Sequence, residues 1–201
     1  SGRSYHDTES YILFPWVVQS GSSERLRDFS RPMAAQTDQK IQYYKKILST
    51  TDHASADMVH FVFGSAPSNA MLLSYYFVRI QPFTSLHIKI HDGHFDVADR
   101  MFKSIDNFFS GLLSSDDSRE SCPEFYSMPE MFLDLSNLKV NPNDKDISFG
   151  DLIVPQQENN SVFNYVYKLR KILEGQDVSD HLNRWIDIMF GVAQKGQQAL
   201  D

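Results

Sequence analysis

At 201 residues with a formal net charge of −7, the chain has the length of one domain and lacks a dense Lys/Arg block, which argues against a nucleic-acid duplex or a bare anionic membrane as its direct partner. Hydrophobic residues make up 41% and aromatics 13%, enough to fill a substantial core and to exclude a disordered chain. The single cysteine, Cys122, excludes an internal disulfide framework and suits a reducing compartment, and neither a secretory signal nor an apolar run near the roughly 18 residues of a membrane span occurs.

Residues 1–35 read as extended. The run Tyr11-Ile12-Leu13-Phe14-Pro15-Trp16-Val17-Val18 is apolar but short, and Pro15 pushes Phe14 towards β or polyproline geometry. With Leu26, Phe29 and Met33 further on, this predicts buried irregular backbone, whose N–H and C=O groups need side-chain partners. Arg3, Arg27, Asp28 and Ser30 are the candidate suppliers.

Thr37 caps a helix reaching about Ser49, with Ile41, Tyr44, Ile47 and Leu48 inward. A polar loop over residues 50–66 ends in an apolar patch at 59–63. Pro67-Ser68-Asn69 then opens a helix that is apolar almost all round through Ile80, the mark of a central position. Pro82 is expected to end it, having no N–H and disfavouring helical geometry at Gln81. Leu86, Ile88 and Ile90 alternate with His87, Lys89 and His91, which predicts a half-buried strand, and Asp92-Gly93 supplies a turn. Asp96 then reads as the N-cap of a helix, with Asp99 in its first turn and Ala98, Met101, Phe102, Ile105, Phe108, Phe109, Leu112 and Leu113 on a buried face.

Residues 114–120 read as a solvated loop. Pro123 to Phe132 mixes apolar anchors with prolines, as bounded extended packing would, and residues 141–146 and 156–161 are loops. Phe163, Val166, Tyr167, Leu169 and Leu173 define a helix stopped by Gly175. Ser179 caps a last helix with Leu182, Trp185, Ile186, Met189 and Phe190 inward and Gly191 at its end.

Chemistry-bearing residues are few. His87, His91 and His94 lie near Asp92, Asp96 and Asp99, but on a strand the histidines are too separated for joint metal ligation without a bend, and solvent-facing histidines around a turn fit the pattern better. Cys122, between Ser121 and Pro123, has no protease-type motif around it. No GxSxG elbow, phosphate-binding glycine loop or HExxH motif occurs, so no cofactor or metal is expected. Lys168, Arg170 and Lys171 make a small basic face, read as solvated. Arg79, Asp96, Asp99 and Arg100 form the polar group of most interest, either lining a partner groove or, as favoured here, a buried ion network that satisfies irregular backbone.

Several of these stretches occur together in one known family. Gly2-Arg3-Ser4-Tyr5 with Asp7, Phe14-Pro15-Trp16-Val17, and Arg27-Asp28-Phe29-Ser30-Arg31-Pro32-Met33 with Gln36 follow in order. So do Arg79, Pro82-Phe83-Thr84, Phe95-Asp96, Ala98-Asp99-Arg100 and Phe102; then Pro123-Glu124-Phe125-Tyr126 with Pro129-Glu130; then Val178-Ser179, Leu182, Trp185-Ile186-Asp187, Phe190-Gly191, Gln194 and Gly196. This collinear set resembles the BEACH (beige and Chediak–Higashi) domain of neurobeachin and lysosomal trafficking regulator. The chain departs from that pattern at Ile12, Ala34, Ser65-Ala66-Pro67, Gln156-Gln157 and Ala193.

The resemblance implies one BEACH domain over residues 1–201, mainly α with extended irregular core segments and short strands. Its N-terminal part is expected to lie upstream, because the family's domain begins some tens of residues earlier and the chain opens on Ser1 rather than Met. The implied function is a non-enzymatic scaffold within a larger cytoplasmic protein that directs vesicle traffic, membrane dynamics or the size of lysosome-related organelles. The implied partners are a preceding pleckstrin-homology-like domain and other trafficking proteins, with membrane association indirect and peripheral to endomembranes. The rival class is a hydrolase using Cys122 or a His/Asp pair. Tyr11 to Val18 and the helix from Ala70 to Val78 are expected to expose apolar surface that the upstream domain would cover.

Overall fold

A single aromatic centre, Trp16, gathers the elements of the chain around it. The computed structural model describes residues 11–21, 25–50, 70–97, 100–114, 119–140, 148–155, 159, 161–194 and 198. Among these, the helices are α1 (Asp38–Thr50), α2 (Ala70–Tyr76), α3 (Phe83–Ile90), α4 (Ile105–Ser114), α5 (Val162–Leu173) and α6 (Gln176–Phe190). Short 3-10 turns occupy Met33–Ala35, Pro123–Tyr126 and Pro129–Phe132. Strand pairing among the described residues is confined to isolated bridges, Phe14 with Ser121, Val18 with Leu26, Ser104 with Ile153 and Lys139 with Ser148. The fold is therefore mainly helical with extended irregular segments, as expected.

The extended run from Tyr11 passes through the interior. Trp16 and Val17 are fully buried, and Leu13 and Val18 nearly so. The Trp16 ring lies edge-on to Phe125 at 4.6 Å and to Phe109 at 5.0 Å, and Tyr76 meets Phe125 at 4.8 Å. Each such ring contributes about 1.5–3 kcal/mol by burial and each edge-to-face pair about 0.5–1.5 kcal/mol more. Tyr76, Phe77 and Val78 are buried too. At these residues the apolar surface is hidden by the chain's own core, whereas Ile12 is 44% exposed.

Helix α4 contributes Ile105, Phe108, Phe109 and Leu112, a buried stripe at three-four spacing. It starts later than expected. Ser104, not Asp96, precedes it and accepts from the Asn107 N–H at 3.4 Å. Met101 and Phe102 are buried ahead of the helix rather than on it. Gly21 permits a close approach to the helix start: a Cβ there would stand 2.7 Å from Asp106 Oδ1 and strike Ile105 Cγ2.

The predicted strand is helix α3. Six alternating residues are too few to decide against three-four spacing, and histidine counted as polar disguises the buried face, which carries Thr84 and His87 with Phe83 packed on Phe77 at 4.9 Å. Pro82 opens this helix instead of closing the one before, a place where its missing N–H costs nothing. Asp92 (φ 56°) and Gly93 (φ +91°) make the expected turn after it.

Thr37 caps α1 as expected, accepting from Lys40 N–H at 3.3 Å. The prolines at 123 and 129 start 3-10 turns rather than extended chain. Helix α5, defined from sequence by Phe163, Val166, Tyr167, Leu169 and Leu173, buries Val162, Tyr165, Val166 and Leu169 and leaves Phe163 and Tyr167 55% and 69% exposed. Helix α6 is capped by Gly175, one turn before Ser179, whose hydroxyl donates to the Gly175 carbonyl at 3.1 Å. Val178 and Trp185 are buried, Leu182, Met189 and Phe190 pack half-buried against the core as expected, Ile186 is exposed, and Gly191 ends the helix. Arg3, the 59–63 patch, Pro67-Ser68-Asn69, Asp99 and the 141–146 loop lie outside the described residues.

Candidate functional site

Backbone that is buried without a sheet must find its hydrogen bonds in side chains. Two polar clusters meet that need here, and a third sits at the surface turn after α3.

The first cluster holds the extended N-terminal run. Arg27 and Glu120 form an ion pair with side chains 0% and 1% exposed, Nη1 donating to both carboxylate oxygens at 2.8 and 2.7 Å. The same carboxylate accepts from Trp16 N–H at 3.1 Å, and Arg27 Nη2 donates to the Arg31 carbonyl at 2.7 Å. Gln36 closes the loop, accepting from Asp28 N–H at 2.8 Å and donating to the Arg31 carbonyl at 2.9 Å. On the other side, Ser121 Oγ donates to the Phe14 carbonyl at 2.8 Å, and the Tyr126 hydroxyl donates to the Pro15 carbonyl. Tyr76 donates to the Glu120 carbonyl at 3.1 Å.

Of the suppliers expected from sequence, Arg27 does this work. Asp28 and Ser30 bond mainly to each other at the surface, and Arg3 is outside the described residues. Glu120, Ser121, Gln36 and Tyr126 are suppliers that sequence reasoning misses. Glu120 is expected at the end of a solvated loop, yet it is 1% exposed, and Arg119 beside it stacks over the Tyr75 ring at 5.1 Å. The one signal pointing to Glu120 is Arg27 itself, a cation in an apolar run that requires a carboxylate.

The second cluster surrounds Arg79, which follows α2. Its Nε donates to the Gly150 carbonyl at 2.9 Å and its Nη1 to the Phe102 carbonyl at 2.8 Å, with the guanidinium 4.2 Å over the Phe149 ring. Asp134 supports this arrangement, accepting from Gly150 N–H at 2.9 Å, Ser148 Oγ at 3.0 Å and Leu138 N–H at 2.9 Å. Burial lowers the Arg79 pKa to about 10, against the fields of Asp134 and Asp151, so the side chain remains cationic at neutral pH.

The network expected to join Arg79, Asp96, Asp99 and Arg100 divides. Among the described residues no hydrogen bond or ion pair links Arg79 to Asp96 or Arg100, and Asp99 is not described. Asp96 accepts from Val97 N–H at 2.8 Å and lies 4.0 Å from Arg100, whose side chain is 76% exposed.

The third cluster is the end of α3. His87 is 3% exposed, not solvent-facing, with its ring 4.3 Å from that of His91. His91 Nδ1 lies 2.8 Å from the His87 carbonyl, and its Nε2 lies 3.6 Å from Asp96 Oδ2. Burial lowers the His87 pKa, helped by His91. Among the described residues no group of three or more His, Cys, Asp or Glu side chains is placed to hold a metal ion.

Cys122 is buried, and burial together with the Glu124 carboxylate pushes its pKa up, keeping it a thiol. That is the reverse of a nucleophile's environment. Tyr11 donates to Glu124 Oε1 at 2.7 Å, and that bond, with burial, raises its pKa to about 12. On α5, Arg170 pairs with Glu174 at 2.9 Å on the solvated face, beside exposed Lys171. No helix among the described residues is long and apolar enough to cross a membrane.

Comparison with known proteins gives one consistent result. The family model of the Beige/BEACH domain matches residues 1–201. The chain is 34% identical to BEACH domain-containing protein B of Arabidopsis thaliana and 33% identical to Beige protein homolog 1 of Saccharomyces cerevisiae, in both cases over 100% of its length. It is 31% identical to BEACH domain-containing protein lvsD of Dictyostelium discoideum, again over 100% of its length. The chain spans only 8%, 10% and 7% of these three proteins.

Proposed function

The chain belongs to the Beige/BEACH domain family, and from that membership we propose that it is a non-enzymatic scaffold domain acting in vesicle traffic, membrane dynamics or the size of lysosome-related organelles. The observation that carries this reading is the family match over the whole chain, set against relatives of which the chain is a tenth or less. A module of that share supports a part in a larger cytoplasmic protein, reaching endomembranes through other proteins. A pleckstrin-homology-like domain preceding it in the same protein is its nearest partner. The outward aromatic pair of α5, Phe163 and Tyr167, gives a protein partner an apolar anchor of the kind that interfaces favour.

The hydrolase alternative loses its best residue in Cys122, whose thiol is buried and held protonated. The test replaces Cys122 by Ala, and separately Phe163 and Tyr167 by Ser, in the full-length protein. Capture of partner proteins and rescue of a trafficking defect are then scored. A scaffold keeps both with Cys122→Ala and loses capture with the double replacement. Loss of rescue on removal of the thiol, with protein level unchanged, would reject the non-enzymatic reading.

A further inference from the structure

His87 is a buried histidine, 3% exposed, and among the described residues neither of its ring nitrogens has a hydrogen-bond partner. Its faces meet rings instead, His91 at 4.3 Å and Phe95 at 6.0 Å. A neutral imidazole tolerates this as an aromatic filler; an imidazolium, with two N–H groups and a charge, does not.

His91 is placed differently. Its Nδ1 faces the His87 carbonyl at 2.8 Å and, because a carbonyl only accepts, must carry the proton. That tautomer leaves a lone pair on Nε2, which points towards Asp96 Oδ2 at 3.6 Å. Two acceptors face each other there, and one proton on Nε2 converts the contact into a charge-assisted bond.

We infer that the stacked His87–His91 pair with Asp96 is a two-proton latch: the first proton tightens His91 onto Asp96, and the second, on His87, releases α3 and the turn that follows it. The order follows from the partners. His91 has a carboxylate and a carbonyl to receive its two N–H groups, whereas a proton on His87 would sit buried beside the cation of His91 without an acceptor. Among the described residues, the titratable and charged groups around the pair are Lys89 on α3 and Asp92, His94 and Asp96 in the turn, with the exposed Arg100 guanidinium 4.0 Å from Asp96 on its other oxygen. Helix α2, which packs on α3, brings only the phenols of Tyr75 and Tyr76, and Arg79 beyond it is committed to the Gly150 and Phe102 carbonyls. Asp96 is therefore the carboxylate, among the described residues, that the pair contacts. The lowering of the His87 pKa by burial and by His91 has the sign this order requires. Because the folded site binds this proton less readily than the free imidazole, stability of the segment is intact above the free value of about 6.5 and falls as pH drops through it. The turn at Asp92 and Gly93 is the natural point of release, since both already have positive φ.

Hydrogen exchange read by mass spectrometry on the full-length protein, at about pH 7.5, 6.5 and 5.5 with intrinsic rates divided out, tests the latch. Peptides covering residues 83–97 should exchange several-fold faster at the lowest pH, while peptides around Trp16 and Phe125 stay protected. His87→Phe keeps a ring to stack on His91 and should abolish the acceleration; His87→Leu serves if the phenylalanine variant does not fold. His91→Gln removes the competing cation and should move the acceleration to higher pH. Acid acceleration that persists unchanged without an imidazole at 87, or wild-type exchange in 83–97 that does not respond to pH, overturns the proposal.

Discussion

Glu120→Gln is the sharpest test of how the extended N-terminal run is held. The substitution preserves volume and removes one charge from a pair whose side chains are 0% and 1% exposed. The introduced amide keeps one acceptor oxygen, but three donor contacts compete for it: Arg27 Nη1, which bonds both carboxylate oxygens at 2.8 and 2.7 Å, and the Trp16 N–H at 3.1 Å. The new amide nitrogen is a donor and must point at one of them. The larger loss is the guanidinium itself, left buried without a counter-charge, and breaking a buried pair from one side costs about 3–5 kcal/mol. Against a total stability of about 5–15 kcal/mol, that is about a fifth of the fold at the least. Denaturant unfolding followed by tryptophan fluorescence reads it directly, since Trp16 is fully buried at the site. The double variant Arg27→Met, Glu120→Gln supplies the control. Removing the cation frees the amide oxygen for Trp16, and the Arg31 carbonyl keeps its bond from Gln36 at 2.9 Å. The Trp16 N–H and the Arg31 carbonyl are then both satisfied with no buried charge, so the double variant should recover at least half of the single loss. A loss below about 1 kcal/mol for Glu120→Gln, or a double variant as unstable as the sum of its parts, would refute the reasoning.

Three further outcomes follow from the packing and the polar contacts. Gly21→Ala should cost about 1–3 kcal/mol, measured as a shifted unfolding midpoint, because its Cβ would meet Asp106 Oδ1 at 2.7 Å at the start of α4. Asp96→Ala should cost under about 1 kcal/mol near neutral pH in the same assay, since its Arg100 contact is 4.0 Å and solvated and it caps no described helix; a loss of several kcal/mol would restore it to a buried network. Cys122→Ala should leave thiol-directed labelling of the native protein as low as in the wild type, because the buried thiol is held protonated; rapid labelling of native wild-type protein at neutral pH would contradict its burial.

What can be read from the sequence and what cannot divides along a physical line. The longer helices with a repeating apolar face, α1, α4, α5 and α6, are legible, because their burial is written in a period that one strand cannot mimic. Their starts are less so: Asp96 and Ser179 read as caps where Ser104 and Gly175 precede the helices, since several small or acidic residues near a helix start satisfy the same local rule. Helix α3 escapes for a related reason. Its decisive buried residue is His87, and nothing in a histidine's identity says that it will be used as an aromatic. The polar anchors escape for another. Arg27 stands 93 positions from Glu120, and Arg79 stands 71 from Gly150, so each is visible only as one half of a contact. The expected grouping of Arg79 with Asp96, Asp99 and Arg100 substitutes nearness along the chain for nearness in space.

That same distance explains why the resemblance to the family succeeds where periodicity stops. Arg27, Gln36, Arg79 and Tyr126 all belong to the stretches that carry it, and in the structure each bonds backbone that no helix or sheet satisfies. In a mainly helical fold with extended segments in its core, such anchors cannot be exchanged for generic apolar residues, because each serves particular carbonyl or N–H groups. Apolar positions tolerate substitution by volume, whereas an anchor is fixed in donor count, charge and reach. A motif built from anchors is therefore a record of the irregular backbone, the part of this fold that hydrophobic patterning cannot describe. It also points to where a fold of this kind is most easily undone: at the Arg27–Glu120 pair, on which the Trp16 segment depends, rather than in any one of the helices that surround it.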